Sequence, residues 1–250
     1  MGKEINLAYL YADILNLHGD RGNVLAFEKI AKEMGIELKT TRIDSPNEKI
    51  DFDKFDIILL SPGELKVMDT IVETFNNQRD EFEKYVNENK YMFVIGTTGA
   101  ILAKNIKFED GREKEGLNVF DMKATERKWI YGDDLTFNAN IDGKDMEIIS
   151  CQINSIDMTF NSDEITPFGS VNYGLGNDKN HKEGARKNNL IYTNALGPVF
   201  IKNPWLTKEI LLDIANKKDI EIKNIDLDFS IEEASKETIK DFISKKEPVQ

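Results

Sequence analysis

Over the first hundred residues, short unbroken apolar runs alternate with stretches whose apolar positions recur every three or four residues. Residues 5–11 (INLAYLY), 55–60 (FDIILL) and 91–95 (YMFVI) are runs of the first kind and predict buried strands. Val24, Leu25, Phe27, Ile30, Ala31 and Met34 keep helical spacing after a turn-rich segment at 19–23. Asp20 is placed to cap that helix and Gly35 to end it. Residues 36–43 alternate like a half-buried strand, and residues 69–89 predict one long helix with Ile71, Phe75, Phe82 and Val86 on one side. Gly96-Thr97-Thr98-Gly99 then leads from the third apolar run into a short apolar helix at 100–103.

Strands alternating with helices predict an α/β fold, a mostly parallel sheet flanked by helices on both faces. Right-handed crossovers bring the carboxyl ends of the three apolar strands to one edge, where open sheets of this kind bind ligands. The loops at that edge are 11–23, 61–69 and 96–99. Between residues 117 and 192 the pattern changes. Gly132, Asp142-Gly143 and Gly174 punctuate runs of β character, which predict antiparallel hairpins in the second half. Residues 205–215 predict a helix opened by Pro204, and Ser230-Ile-Glu-Glu233 has capping-box spacing for a last helix through Ile243. The chain divides into a domain over 1–216 and a charged extension over 217–250.

Composition narrows the function classes. The 250 residues carry a formal net charge of −12, which disfavours non-specific nucleic-acid binding. The longest apolar run is too short to cross a bilayer, and the N-terminus has neither the apolar core of a signal peptide nor, with Asn6, a myristoylation signal. A cytoplasmic protein is expected, with no membrane partner. One cysteine, Cys151, and two histidines, His18 and His181, give no material for a disulfide framework or a metal centre, and no cofactor is expected. Gly174-Leu-Gly176 lacks the third glycine of a dinucleotide fingerprint, and no GxxxxGK[ST] segment is present.

The segment Leu10-Tyr-Ala-Asp-Ile-Leu-Asn-Leu-His-Gly-Asp-Arg-Gly-Asn-Val-Leu25 resembles the opening of one family. That family is the glutamine amidotransferase subunit of lipid II isoglutaminyl synthase, of the cobyric acid synthase type. Residues 55–63, 91–103, Glu183-Gly-Ala-Arg186, Gly197-Pro198 and Lys202-Asn-Pro204 continue the likeness in order, over roughly residues 4–216. The resemblance implies a flavodoxin-like class I amidotransferase fold. It also implies a cysteine thiolate at a tight strand-to-helix turn, served by a late histidine, that releases ammonia from glutamine. Here Gly96 stands at the cysteine position and Leu196 at the histidine position, so both functional groups are absent. Thr97 and Thr98 replace glycines and are expected to narrow the pocket. A glycine at such an elbow keeps the strained backbone accessible.

By the same resemblance, Gly63 and Glu64, in the turn Ser61-Pro62-Gly63-Glu64, belong to the oxyanion hole and glutamine pocket, although Pro62 offers no N–H. The alternative is a plain strand-ending turn. Arg127, beside Lys128, stands where the family grips the substrate carboxylate, against the simpler reading of a solvated pair. His18 is expected to pack against its turn, and His181 to be solvated.

Three functions remain open. The first is a degenerate amidotransferase-like subunit that binds or scaffolds a Mur-ligase-like partner, or senses glutamine or another small ligand. The second is an active enzyme with a relocated nucleophile (Cys151, Thr97 or Thr98) or with acid–base groups among Asp13, Asp20, Glu64 and Asp69. Against it, Cys151 reads as a packing residue of a strand and the threonines as helix caps. The third is that only the fold is shared and function lies elsewhere, such as in the extension.

Overall fold

The computed structural model describes residues 3–178 and 180–246. Met1 and Gly2, on which part of the N-terminal reading rests, and residues 247–250 of the extension lie outside the described residues.

Six strands form the first sheet, in the order β11–β12–β4–β3–β1–β2. They are β1 (Ile5–Leu10), β2 (Leu38–Ile43), β3 (Ile57–Leu60), β4 (Tyr91–Ile95), β11 (Ala185–Lys187) and β12 (Leu190–Thr193). All neighbours are parallel except the edge strand β11. The fold is therefore α/β with a helix-flanked, mostly parallel sheet, as the alternation of apolar runs predicts. The arrangement 2-1-3-4 followed by β12 is the flavodoxin-like winding.

Each apolar run feeds two cores, because successive side chains leave a strand on opposite faces. Leu7, Tyr9, Ile57, Leu59, Phe93 and Ile191 pack against α1 (Gly22–Met34), α4 (Val199–Lys202) and α5 (Pro204–Lys217). Ala8, Leu10, Ile58, Leu60, Val94 and Tyr192 pack against α2 (Met68–Asn76) and α3 (Arg79–Asn87). Gly35 closes α1 in the left-handed conformation (φ 73°), which glycine adopts without a Cβ clash.

A second sheet is built on the long hairpin of β7 (Met122–Ile141) and β8 (Lys144–Phe160), turned by Asp142-Gly143 with positive φ at both residues. The other edge of β7 carries β5 (Asn105–Lys107), which pairs with β6 (Glu113–Glu115), and β9 (Gly169–Tyr173), which pairs with β10 (Lys182–Glu183). The β7–β8 and β9–β10 pairs are the expected antiparallel hairpins; β5–β6 lies before the region where they are expected, and β5 joins β7 in parallel. The helix α6 (Ser230–Ser244) follows in the extension.

Several local expectations are corrected. The predicted long helix is two helices, because Gln78 leaves the helical region (φ −126°, ψ 37°). Its side-chain amide instead accepts the Ile50 N–H and donates to the Ile50 carbonyl, at 2.9 and 2.8 Å. Residues 96–102 form a 3-10 segment rather than an α-helix. The hairpin region also contains β12, whose apolar LIYT run inserts beside β4. Asp20 does not cap α1, and Ser230 does not close a capping box: Asp228 accepts the Ser230 N–H instead.

Candidate functional site

The carboxyl ends of β1, β3, β4 and β12 meet at one place. β4 ends at Gly96, which holds φ +59°, the left-handed turn that bends the chain abruptly into the 3-10 segment. The site on the far side of this elbow is filled. A Cβ on Gly96 would meet Pro62 Cβ at 3.1 Å and Leu196 Cδ2 at 3.2 Å. Pro62 is fixed by its carbonyl, which accepts the Leu17 N–H at 3.0 Å. Leu196 is buried with 1% exposure.

Leu196 is set by two elements. Upstream, the buried Glu183 accepts the Thr193 hydroxyl and the Asn194 N–H, both at 2.7 Å, and the Asn194 side-chain amide at 2.9 Å. Burial raises the Glu183 carboxyl above its usual range. Laterally, the free edge of β8 pairs with the chain here. Leu196 donates its N–H to the Cys151 carbonyl at 2.8 Å, and Ser150 Oγ donates to the Leu196 carbonyl at 2.5 Å. Gly197 follows with φ +83°, and a Cβ there would stand 2.8 Å from Cys151 Sγ and 3.5 Å from Lys202 Nζ. The single cysteine of the chain therefore lies half-buried beside Leu196. Nothing in the local sequence signals this, since 45 residues separate the two.

The other expected site residues divide sharply. Thr98 is buried and donates its hydroxyl to the Ser61 carbonyl at 2.7 Å; the Thr97 hydroxyl meets that of Ser155 at 3.0 Å. Neither caps the segment they open, which corrects that expectation. Gly63 lies against Leu15, and its own Cβ position is 3.1 Å from the Ile14 carbonyl. Glu64 is exposed and paired with Lys66 at 2.5 Å. Arg127 is neither free nor merely solvated: it pairs with Asp157 and donates to the Trp129 carbonyl at 3.3 Å. His18 is exposed at φ +62° rather than packed on its turn, and His181 is exposed. Of the four candidate acids, Asp13 pairs with Arg42 and Asp69 with Lys114, so the carboxylates do not converge.

Asp20 is the exception. It has no exposure, and neither carboxyl oxygen has a partner in hydrogen-bonding geometry. Burial pushes its pKa up to about 7, with the Ser61 and Asn23 side chains pulling the other way. Asn23 leaves its amide nitrogen unpaired while its oxygen accepts the Phe200 N–H at 3.0 Å, and Ser61 donates to Tyr9 Oη at 3.3 Å. A cluster of buried polar groups thus lies at the start of α1, and a cap-like Asp before a helix was its only sequence signal. A cleft of about 530 Å³ opens at the edge, but between Leu65, Asp69, Phe108 and Arg112 rather than at Gly96. Among the described residues no group of three or more His, Cys, Asp or Glu side chains is arranged to hold a metal, and no helix is long and apolar enough to cross a membrane.

No protein-family model matches the chain. It is similar to the GatD subunit of the glutamine-hydrolysing lipid II isoglutaminyl synthase of Streptococcus pneumoniae (strain ATCC BAA-255 / R6). Identity is 26% over 219 residues, covering 86% of this chain and 82% of the relative. The GatD subunit of Staphylococcus aureus (strain N315) is 26% identical over 239 residues, 95% of this chain and 96% of the relative. Likeness over nearly the whole of both chains makes these subunits homologues of this protein. Among solved structures, PurLQS from Thermotoga maritima matches in fold with a TM-score of 0.55 at 13% identity, over 86% of this chain and 99% of that chain.

Proposed function

We propose that this chain is a glutamine amidotransferase-like subunit of a lipid II-amidating assembly. It serves there as a binding and scaffolding subunit for a Mur-ligase-like partner and does not release ammonia itself. The observation that carries the reading is the plugged elbow. Glutaminase chemistry needs a thiolate at the turn, a base beside it and room for an amide. At this turn Gly96 has no side chain, Leu196 is apolar, and Pro62 and Leu196 close the space at 3.1 and 3.2 Å. The homologous subunits support the assembly half of the reading. In this reading glycine at 96 keeps the elbow after its chemistry has gone, and the partner takes its nitrogen from free ammonia.

The test is ammonia release from glutamine by the purified chain, alone and with its ligase partner. The natural chain is expected to be inactive. A variant combining Gly96→Cys, Leu196→His and Pro62→Gly, the last making room for the new Cβ, is expected to gain activity.

One observation favours a second reading. Cys151 Sγ lies beside Gly197, with Lys202 Nζ near the same point, so a thiol does reach the region from another strand. Ammonia release that disappears in Cys151→Ala would select that reading over the scaffold.

A further inference from the structure

Asp133 and Asp134, in the middle of β7, are occupied by an ammonium group from the far end of the chain. Lys246, two residues beyond α6, places its Nζ 2.7 Å from Asp133 Oδ1 and 2.9 Å from Asp134 Oδ2. The same Nζ lies over the Tyr173 ring at 5.3 Å and over the Phe242 ring at 4.8 Å from the centroids. Two carboxylates and two aromatic rings surround one cation, and each kind of contact favours it.

Most of this notch is built without α6. Tyr173 belongs to β9, whose pairing with β7 fixes it beside the hairpin. Its hydroxyl donates to Asp133 Oδ2 at 3.0 Å, and the Tyr131 hydroxyl donates to the same oxygen at 3.4 Å. The Asp134 N–H donates to Asp133 Oδ1 at 2.8 Å. Three donors from the second sheet therefore aim the Asp133 carboxylate before any lysine arrives. Burial pulls its pKa upward, but Lys246, the Asp134 N–H and Tyr173 together bring it below the ordinary carboxylate value. The other grip of α6 lacks this preparation. Glu147 meets Lys236 and Lys240 at 3.3 and 2.9 Å, and Lys236 lies over the Trp205 ring at 5.0 Å. Among the described residues, the Glu147 carboxylate accepts from those lysines alone.

The occupant of the notch is free to leave. The Asp133, Asp134 and Lys246 side chains keep 20, 26 and 27% exposure, so water reaches the pair and screens it. α6 buries no residue that would hold Lys246 in place. The net charge of −12 draws competing cations toward the surface.

We propose that Asp133, Asp134, Tyr131 and Tyr173 form a binding site for a primary alkylammonium group, carried by a lysine side chain or a small free amine, and that Lys246 fills it in cis as a displaceable stand-in. The two carboxylates call for N–H donors, which a primary ammonium has and a quaternary one lacks. The Tyr173 ring takes the charge from the side. A tethered lysine acts at an effective concentration on the order of millimolar, so an external amine enters once it rivals that figure or once α6 is drawn away. The site lies on the second sheet and does not depend on whether the chain releases ammonia.

The test titrates the isotope-labelled full chain at low salt, following the backbone amide signals of Asp134 and Tyr173 by NMR. The probes are pentylamine, pentyltrimethylammonium and Nα-acetyl-lysine methylamide. Lys246→Ala is expected to reach half-saturation with pentylamine at a concentration at least tenfold lower than the natural chain does. Lys240→Ala, which loosens the Glu147 grip and leaves the notch filled, should stay within twofold of the natural chain. Adding Asp133→Asn and Asp134→Asn to Lys246→Ala should abolish saturation, with thermal unfolding run alongside to separate a lost site from a lost fold. The quaternary probe should bind Lys246→Ala at least fivefold more weakly than pentylamine, a comparison that needs no further variant. Saturation by the capped lysine as well as by pentylamine supports a site open to protein lysines; saturation by pentylamine alone supports one confined to small amines. The proposal is overturned by equal half-saturation of Lys246→Ala and the natural chain, or by no saturation of Lys246→Ala. It is equally overturned by binding that survives loss of both carboxylates, or by a quaternary probe that binds as well as the primary one.

Discussion

The elbow at the end of β4 and the C-terminal helix α6 are held to the protein in opposite ways. Around the elbow Gly96, Thr98 and Leu196 are buried; Leu196 donates its N–H to the Cys151 carbonyl and Thr98 its hydroxyl to the Ser61 carbonyl. α6 has no buried residue. It is held by Lys236 and Lys240 on Glu147, at 3.3 and 2.9 Å, and by Lys246 on Asp133 and Asp134, at 2.7 and 2.9 Å. Those carboxylates hold the Lys240 and Lys246 ammonium groups above their ordinary pKa. Burial resists salt and change; paired surface charges are screened and contribute little each. A buried region braced by neighbouring strands is suited to keeping one shape. A helix attached by charge is suited to coming off.

The largest effect expected from breaking this contrast concerns Asp20. Its carboxyl has a folded pKa of about 7, above the ordinary value of 3.8, so the folded state binds the proton more tightly than the unfolded chain does. Stability from this group is then complete below about pH 4, falls as pH rises, and is lost above about pH 7. The drop amounts to at most roughly 4 kcal/mol, from about three pKa units. Denaturant unfolding across that range should show the decline, and Asp20→Asn should flatten it. Asn203→Ala comes next. Asn203 is wholly buried, accepts the Ile149 N–H at 2.9 Å and donates to the Ile149 and Val199 carbonyls at 2.8 Å, clamping β8 to α4. Its loss leaves buried backbone groups unpaired and should cost roughly 2–4 kcal/mol in the same assay. Truncation after residue 228, which removes α6, should cost only about 1–2 kcal/mol at low salt and less at high salt. A salt-independent loss larger than that would show that α6 is held by burial after all.

Much of the fold was legible because its strands are continuous apolar runs bounded by turns. Tyr91–Ile95 is a strand over the residues that its YMFVI pattern marks. Legibility failed where distant partners decide. Gln78 reads as a neutral helical residue, and only its bonds to Ile50 break the helix. The β12 run reads like any strand of the hairpin region, because its placement beside β4 depends on a crossover. At the site, the emptiness of Gly96 and Leu196 follows from residue type alone. The closure by Pro62, the approach of Cys151 and the pairing of Arg127 with Asp157 are long-range contacts with no local signature. Asp20 was misread for a related reason: a capping residue and a buried, unpartnered acid look alike until packing separates them.

The most direct test of the account is ammonia release from glutamine by the natural chain together with the proposed ligase partner, compared with that partner alone. The account predicts no release above the partner's background, while the partner amidates its substrate when ammonium is supplied. Glutamine-dependent ammonia release by the natural chain would contradict it.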